Sequence, residues 1–276
     1  MQKSNNFPKM KPSSKVLKSS FIKQGKLFTD QYVDIIIPFH GQYEKVASLV
    51  SSIIYLTRSN HFRICLVDDC SPNSNFVFNG FEDVPNLKSV QTEEQLGFGG
   101  ALEYGMKALE EETNIFPWVV FMHSDCLIED GNWLVAMGQT MQKLKADGVK
   151  MVGPRTNNPT VEDIELKNKL HAERRDGPTE DVILEEGYLP LYCSLCHRHL
   201  FHYINGFIKH YPYAGYENRE LADRMRSYGY KQAVCGSSWI HHEGDATLQY
   251  LRRTNPQAIK MMKGNENLWR QDIDSK

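Results

Sequence analysis

Residues 119–126, with the sequence VVFMHSDC, run from four apolar side chains directly into His123, Ser124 and Asp125. A continuous apolar run of this kind predicts a buried strand, and the polar residues then mark its carboxyl end. A carboxylate at such a position either caps the next helix or faces a ligand. The question for this chain is what requires an acidic side chain to be held so rigidly.

Three other predicted strands also end in polar or conformationally special residues. In a parallel α/β sheet the ligand lies outside the carboxyl ends of the strands, so these residues are predicted to gather along one edge. They are Pro38, Phe39, His40 and Gly41 after the first strand, Asp68 and Asp69 after the second, and His241, His242 and Glu243 after the last. Helix capping could explain Asp69 or Asp125 singly, but it explains both together less well.

The elements that must position these residues alternate between strand and helix from Tyr32 onward. Strands are predicted in VDIIIPFH, FRICLVDDCS, NLKSVQT, WVVFMHSD, VKMVGP, YLPLYCSLCH and YKQAVCGSSWIHH, and helices in EKVASLVSSIIYLTRS, GGALEYGMKALEEE, GNWLVAMGQTMQKLKA, HLFHYINGF and NRELADRMRSYG. Strand-helix units with apolar strands indicate an α/β fold whose central sheet is mostly parallel and carries helices on both faces. The charged segment 155–187 breaks the pattern and is predicted to be a lid or surface excursion.

Composition indicates a globular protein, with 41% hydrophobic and 24% charged residues in 276. No run approaches the roughly 18 to 20 apolar residues of a membrane span, and the first residues lack the apolar segment of a secretion signal. We therefore expect no transmembrane segment and a cytoplasmic location. The six cysteines lie mostly in apolar runs and are predicted to be buried, reduced thiols.

Charge is distributed unevenly along the chain. The first 29 residues carry seven lysines and no acidic residue, which leaves 25 basic and 34 acidic residues in the remainder. Residues 1–30 are thus predicted to form a basic, flexible arm, either simply solvated or in contact with an anionic partner such as nucleic acid. Residues 249–276 are predicted to form a helical C-terminal tail.

Six segments resemble, in their order and spacing, the nucleotide-sugar glycosyltransferases that have the GT-A fold, and most closely those of family 2. The resemblance covers roughly residues 32–248, so residues 31–248 are expected to form a GT-A domain with a Rossmann-like sheet. The segments are DIIIPFHGQYEKVASLVSSI, CLVDDCSPN, EEQLGFGGALEYGMKA, VVFMHSDCLIEDGNWL, YCSLCHRHLFHYINGF and GYENRELADRMRSYGYKQAVCGSSWIHHEG.

The resemblance implies a role for each residue at the predicted edge. Asp125 matches the metal-binding acid of the family, and one of His241 and His242 matches a histidine that completes the metal site, so Mn²⁺ or Mg²⁺ is the implied cofactor. Asp69 matches the residue that binds the nucleotide base, usually uracil. The other residues expected near the nucleotide are Pro38, Phe39, His40, Gly97, Gly99, His123 and Ser124. The implied partners are a nucleotide-sugar donor and a glycan or other hydroxyl acceptor.

Two positions depart from the family pattern. His123 stands where the first acid of the metal motif is expected, and Asn218 stands where many inverting members carry an aspartate base. An amide cannot accept a proton at neutral pH, so Glu217 or Glu220 would have to serve as base. We predict inversion with Glu217 as the base. The alternative is retention without a base, because residues 215–220 also resemble a segment of the retaining polypeptide N-acetylgalactosaminyltransferases.

Other functions rank lower. Glycosylation of modified nucleic acid, with the lysine-rich arm contacting phosphates, is an alternative acceptor class. A nucleotidyltransferase would carry a glycine-rich, basic loop after the first strand, and PFHGQYEK has one glycine and no arginine. A member without activity is a further hypothesis, because of His123 and Asn218. Gly97-x-Gly99 lacks the third glycine of a dinucleotide-binding loop, and CSLCHRH lacks the second ligand pair of a structural zinc site.

Overall fold

The computed structural model describes residues 28–58, 61–72, 81, 84, 86–207, 211, 213–244 and 246–274. Nine strands, nine α-helices and two short 3₁₀ helices occur in these ranges. The strands are β1 (Val33–Phe39), β2 (Phe62–Asp68), β3 (Leu87–Gln91), β4 (Trp118–Met122), β5 (Cys126–Leu127), β6 (Val149–Thr156), β7 (Val182–Leu184), β8 (Cys193–His197) and β9 (Lys231–His242). The helices are α1 (Tyr43–Leu56), α2 (Gly97–Glu110), α3 (Trp133–Lys143), α4 (Ile164–Leu170), α5 (His199–Ile204), α6 (Glu217–Ser227), α7 (Ala246–Thr254), α8 (Pro256–Met262) and α9 (Asn265–Asp274).

The strands form one sheet in the order β3-β2-β1-β4-β8-β6-β9-β5, and β7 also pairs with β9. Strands β1 to β4, β6 and β9 run in one direction, whereas β5, β7 and β8 run in the opposite direction. Six of the nine strands are therefore parallel to one another. This confirms the predicted α/β fold with a mostly parallel sheet.

Helices cover both faces of the sheet, and each face has its own apolar core. On one face, Ile35 and Ile37 of β1 pack with Leu49 and Ile53 of α1. On the other face, Ile36 packs with α2, α5 and α6. Because side chains alternate along a strand, the consecutive isoleucines of β1 serve the two cores in turn. An uninterrupted apolar strand is what this arrangement requires.

The structure adds details that strand-helix alternation did not predict. Strand β8 is antiparallel to both of its neighbours, β4 and β6. The segment predicted as an excursion includes the end of β6, helix α4 and strand β7. The basic arm lies almost entirely outside the described residues. Among the described residues, no helix is both long and apolar enough to cross a bilayer.

A buried ionic cluster joins three elements at the amino end of β1. The side chain of Asp34 is fully buried and accepts hydrogen bonds from Arg63 of β2, at 2.8 Å to Nε. It also accepts one from Arg198, which precedes α5 and is itself 3% exposed. Arg198 in turn donates to the carbonyl of Phe116 at 3.0 Å. The carboxylate therefore compensates two guanidinium groups that have little contact with water.

We expect Asp34→Asn to lower the free energy of unfolding by about 3 kcal/mol, because it removes the anion that both guanidinium groups contact and leaves Arg198 with only a longer ion pair to Glu110, at 3.5 Å. Denaturant unfolding of the whole chain measures this. Asp147→Asn is the matched control, since Asp147 is exposed, and it should change the unfolding free energy by less than about 0.5 kcal/mol. Equal stability of the two variants would show that the cluster contributes nothing.

Candidate active site

Asp125 lies in the short connection between β4 and β5, and its side chain is 6% exposed. Strand β5 pairs with the carboxyl end of β9, with Cys126 opposite His242. This register places the last residues of β9 beside Asp125, although more than a hundred residues separate them in the sequence. The carboxylate is also held by the backbone N–H of Ala246, which donates to Oδ2 at 3.3 Å.

His123, Asp125 and His242 form a cluster that could hold a metal ion. One ligand atom from each lies within 4.8 Å of the others, and no second cluster of this kind occurs in the part of the chain that the structure describes. His242 Nε2 is 3.2 Å from Asp125 Oδ1, and His123 Nδ1 is 3.9 Å from the same oxygen. A carboxylate oxygen suits Mg²⁺ or Mn²⁺ and imidazole suits softer first-row ions, so this donor set suits a first-row divalent ion, a class that includes Mn²⁺.

The hydrogen bonds of His242 determine which of its nitrogens is free. Nδ1 lies 2.7 Å from the carbonyl oxygen of Asn158. A carbonyl oxygen only accepts, so Nδ1 must carry a proton. Nε2 is buried, faces the carboxylate of Asp125, and forms no hydrogen bond of acceptable geometry with the described residues. Either a proton or a metal ion between Nε2 and the carboxylate oxygen, 3.2 Å apart, would relieve their repulsion, and a metal ion fits because a ligand atom of His123 converges on the same place.

Burial and neighbouring charge set the protonation of the cluster. Burial lowers the pKa of His123 to about 4, although 31% of its side chain stays exposed. At neutral pH this imidazole is uncharged and has a lone pair available for a ligand bond. Burial opposes ionisation of Asp125, but the imidazoles of His242 and His123 outweigh it and hold the pKa of Asp125 below its ordinary value. The acid is therefore ionised at neutral pH, where the imidazole of His123 is uncharged.

His241 does not belong to this cluster. Side chains alternate along β9, so His241 faces the side of the sheet opposite to His242. Its ring lies 6.3 Å from that of Trp239 and it is half-buried. Of the two histidines, only His242 lies within ligand distance of Asp125.

The residues predicted to contact the nucleotide lie at the ends of β1, β2 and β4. His40 Nδ1 is 2.8 Å from the carbonyl oxygen of Asp69, so the ends of β1 and β2 are tied together. Pro38, Phe39 and Ser124 are buried. Their place at the carboxyl edge of the sheet is established, while contact with a nucleotide stays a prediction.

Asp69 binds the start of helix α2. Its carboxylate oxygens accept hydrogen bonds from the backbone N–H groups of Leu96 at 2.7 Å and Gly97 at 2.9 Å, and Thr92 Oγ1 is 3.2 Å away. Burial raises the pKa of Asp69, and the hydrogen bonds, which favour the ionised form, offset this increase only in part. Gly97 has φ of +74°, and a Cβ there would lie 2.7 Å from the backbone of Tyr213, so glycine is required. The role of Asp69 in binding a base stays a prediction.

The first turn of α2 lies between the cluster of His123, Asp125 and His242 and Glu217, the predicted catalytic base. The ring of Phe98 meets that of His123 edge to face, with centroids 4.7 Å apart. On the next residue, a Cβ added to Gly99 would lie 3.6 Å from Cγ of Glu217. Phe98 also donates its N–H to Tyr213 at 2.7 Å. One turn of helix therefore contacts both groups that the chemistry needs.

Glu217, Asn218 and Glu220 begin helix α6, and they differ in their surroundings. Glu217 is 5% exposed, and its Oε1 has no hydrogen-bond partner among the described residues. Burial raises its pKa to about 7. Glu220 is bound through both carboxylate oxygens by Arg224, at 2.8 and 2.7 Å. Asn218 is partly buried. The free carboxylate oxygen favours Glu217 over Glu220 as a proton acceptor.

The C-terminal helices lie against the same edge of the sheet. Helix α7 begins at Ala246, ahead of the predicted boundary at 248, and Tyr250 on it lies 5.8 Å from the ring of His40. Asn255 Nδ2 lies 3.3 Å from the hydroxyl of Tyr213, and Asn265 donates to the carbonyl of Ala214 at 2.9 Å. These contacts hold the residues that precede α6.

Three supporting residues were not predicted from the sequence. Asn157 donates to the carbonyl of His242 at 3.1 Å and accepts from its N–H at 2.9 Å, while Asn158 orients the imidazole. Tyr192 stacks on the same ring, with centroids 5.0 Å apart. The two asparagines could have been found from the sequence, because they directly follow the strand VKMVGPRT and polar residues at the carboxyl end of a strand lie at the ligand edge of the sheet.

This fold and this site define a class of protein. Three solved structures resemble the chain, each at 15% identity: GalNAc-T7 with UDP, GalNAc and Mn²⁺ (TM-score 0.59), the mannosyltransferase PcManGT from Pyrobaculum calidifontis with GDP-Man and Mn²⁺ (0.60), and residues 1–349 of S. aureus TarS (0.55). They cover 77%, 87% and 78% of this chain. The likeness confirms the predicted GT-A fold.

The chain belongs to glycosyl transferase family 2, whose family model matches residues 34–202. This confirms the predicted family and the prediction of a glycosyltransferase. The chain spans only 44%, 65% and 61% of the three similar structures. No curated protein matches the chain.

Proposed function

We propose that the chain is a metal-dependent enzyme that transfers a sugar from a uridine diphosphate donor to an acceptor hydroxyl group. The observation that carries this proposal is the pair formed by Asp125 Oδ1 and His242 Nε2, 3.2 Å apart, with the other imidazole nitrogen committed to Asn158. His123 supplies a third ligand. Bound there, Mn²⁺ or Mg²⁺ would neutralise the negative charge that develops on the departing diphosphate.

The similar structures support a nucleotide and a metal ion, but they differ in the base. GalNAc-T7 is described with UDP and Mn²⁺, and the mannosyltransferase with GDP-Man and Mn²⁺. The preference for uridine in this chain rests on Asp69, at the position where the family resemblance implies recognition of uracil. The two nucleotides are therefore the first pair to compare.

In the proposed reaction, Glu217 takes the proton of the acceptor hydroxyl while the acceptor oxygen bonds to the anomeric carbon of the donor sugar. The bond from that carbon to the diphosphate oxygen breaks, and the nucleoside diphosphate leaves. A pKa of about 7 suits this role, because the carboxylate is ionised in about half of the molecules at neutral pH and still binds a proton readily. Burial also limits access of water to the same site.

A thermal-shift panel tests the donor and the metal together. UDP with Mn²⁺ is expected to raise the unfolding midpoint more than GDP with Mn²⁺, UDP alone or Mn²⁺ alone, because a ligand that binds only the native state stabilises it by mass action. Release of UDP from a panel of UDP-sugars then identifies the donor. A larger shift with GDP would replace the uridine assignment, and no shift with any metal-nucleotide pair would overturn the proposal.

A further inference from the structure

One cavity among the described residues lies apart from the cluster of His123, Asp125 and His242. It has a volume of about 660 Å³ and lies between the end of α1, the residues after β5, the loop before β7 and the middle of β9. Its volume lies within the range typical of small-molecule sites. None of the residues that line it has been given a role in the proposed transfer reaction.

An irregularity in β9 shapes this cavity. Strand β6 pairs Pro154 with Cys235 but Arg155 with Trp239, so residues 236–238 form a bulge. On the outer edge of β9, β7 pairs with residues 232–234 and β5 with residues 241–242. The cavity lies at the bulge between these two partners. Bulges redirect side chains and are frequent beside binding sites.

Three arginines and three acidic residues line the cavity, so its formal charges balance, but these side chains differ in whether they already have a partner. Each acid is already engaged: Glu129 pairs with Arg174 at 2.9 Å, while Asp130 and Asp176 accept backbone N–H groups at 3.0 and 2.8 Å. Arg58 and Arg155 form no ion pair with a carboxylate within the described ranges. Arg58 donates to Asn132 Oδ1 at 3.2 Å, and Arg155 makes only long contacts, of 3.4 and 3.5 Å, with two carbonyls. Two guanidinium groups are thus available to an anion.

Aromatic surface lies beside these arginines. The indole N–H of Trp239 donates to the carbonyl of Ala172 at 2.8 Å, which fixes the ring while the residue stays partly exposed. Tyr55 is 84% exposed at the end of α1. An immobilised aromatic face can pack against the C–H groups of a sugar ring, while arginines bind its charged substituents. Phosphate alone would need only the second of these features.

We propose that this cavity binds an anionic saccharide, with Arg58 and Arg155 contacting its phosphate or carboxylate groups and Trp239 contacting its ring. A second cavity of about 450 Å³ is also lined by Arg155, so the concave surface continues beyond that guanidinium and suits a chain of sugars. This inference rests on the proposed function, since it assigns the bound chain as part of the acceptor.

The position of the cavity agrees with an acceptor that is longer than one sugar. Trp239 precedes His242 by three residues on β9, which corresponds to roughly 10 Å along the strand. Because side chains alternate along β9, Trp239 faces the side of the sheet opposite to His242, so an acceptor that occupied both sites would pass round the edge of β9 between β7 and β5. Affinity for a distant part of the acceptor is one way to hold the reacting hydroxyl in place.

The test is a titration of the whole chain followed by NMR of the Trp239 indole N–H, assigned with Trp239→Phe, in the absence of metal and nucleotide. Glucose 6-phosphate and glucuronate are expected to shift this resonance, and they distinguish phosphate from carboxylate recognition. Glucose and inorganic phosphate should shift it little. Equal shifts with inorganic phosphate would overturn the assignment of a sugar, and equal shifts with glucose would overturn the role of charge.

The double variant Arg58→Gln, Arg155→Gln is expected to weaken binding of the anionic sugar at least tenfold. Arg175→Gln is the matched control, because Arg175 is exposed beside Arg174 but does not line the cavity, and it should stay within about twofold. An unchanged indole spectrum in the free double variant shows that it folds. Unweakened binding would overturn the proposal. The same variant should keep the thermal shift caused by UDP with Mn²⁺. This second measurement tests the donor proposal independently of the saccharide proposal.

Discussion

Replacing Asp125 with asparagine is expected to abolish the thermal shift caused by UDP with Mn²⁺ and to lower the transfer rate by about 10³-fold. The substitution preserves the shape of the side chain and removes the one negative charge in the cluster of His123, Asp125 and His242. A loss of this size corresponds to about 4 kcal/mol of transition-state stabilisation. The measurements are the thermal-shift panel and the rate of UDP release from the UDP-sugar that the panel identifies.

Asp147→Asn is the control for this prediction, because it removes the same charge from an exposed position outside the cluster. It should retain the full nucleotide shift and the full rate. A second variant, His242→Gln, tests the geometry further, since an amide oxygen or nitrogen replaces an imidazole oriented by Asn158. If Asp125→Asn kept the metal-dependent shift, the carboxylate would be only a structural anchor for Ala246.

Replacing Glu217 with glutamine is expected to lower the transfer rate by about 10³-fold while leaving the shift with UDP and Mn²⁺ in place. Glutamine fills the same space beside Gly99 but cannot accept a proton. The wild-type rate should rise with pH through about 7, because the carboxyl group must lose its proton to act as base. The variant should lose this dependence. Steady-state rates between pH 5 and 9 measure both effects.

Two controls separate the chemistry from the fold. Glu111→Gln alters an exposed carboxyl at the end of α2 and should leave the pH profile unchanged. Glu220→Gln should instead lower stability, because it weakens the paired contact with Arg224. The product's anomeric configuration, read by NMR against that of the donor, is the remaining measurement. Retention would exclude Glu217 as the base and favour the reading in which Glu217 and Asn218 contact the sugar.

The raised pKa of Glu217 also affects stability in a defined direction. Below pH 4.5 the carboxyl is neutral in both the folded and the unfolded chain. Between about 4.5 and 7 the unfolded chain ionises while the folded chain stays protonated, so the stabilising contribution is lost as pH rises through this window. The free energy of unfolding of the wild type should fall over this range relative to Glu217→Gln. Parallel curves would show that the carboxyl is not held neutral.

Much of the fold and part of the site could be predicted from local sequence. The apolar runs of β1 and β4 determine strands that are buried on both faces, and their polar ends placed Asp69 and Asp125 at one edge of the sheet. Such patterns can be read from the sequence because the preference for burial is a property of each side chain by itself. The order and spacing of the six segments also indicated the family, and the match of the family model to residues 34–202 confirms that resemblance.

Tertiary structure decided what sequence had left open. The pairing of Cys126 with His242 places His242, and not His241, beside Asp125. Arg224 binds both carboxylate oxygens of Glu220, whereas Oε1 of Glu217 has no hydrogen-bond partner among the described residues. Asn158 became part of the site only through its contact with β9. Sequence determines which side chains can bind a metal or a proton, because that chemistry belongs to the residue itself. Which of them meet depends on strand register and on contacts between distant segments, and those are fixed only when the whole chain packs.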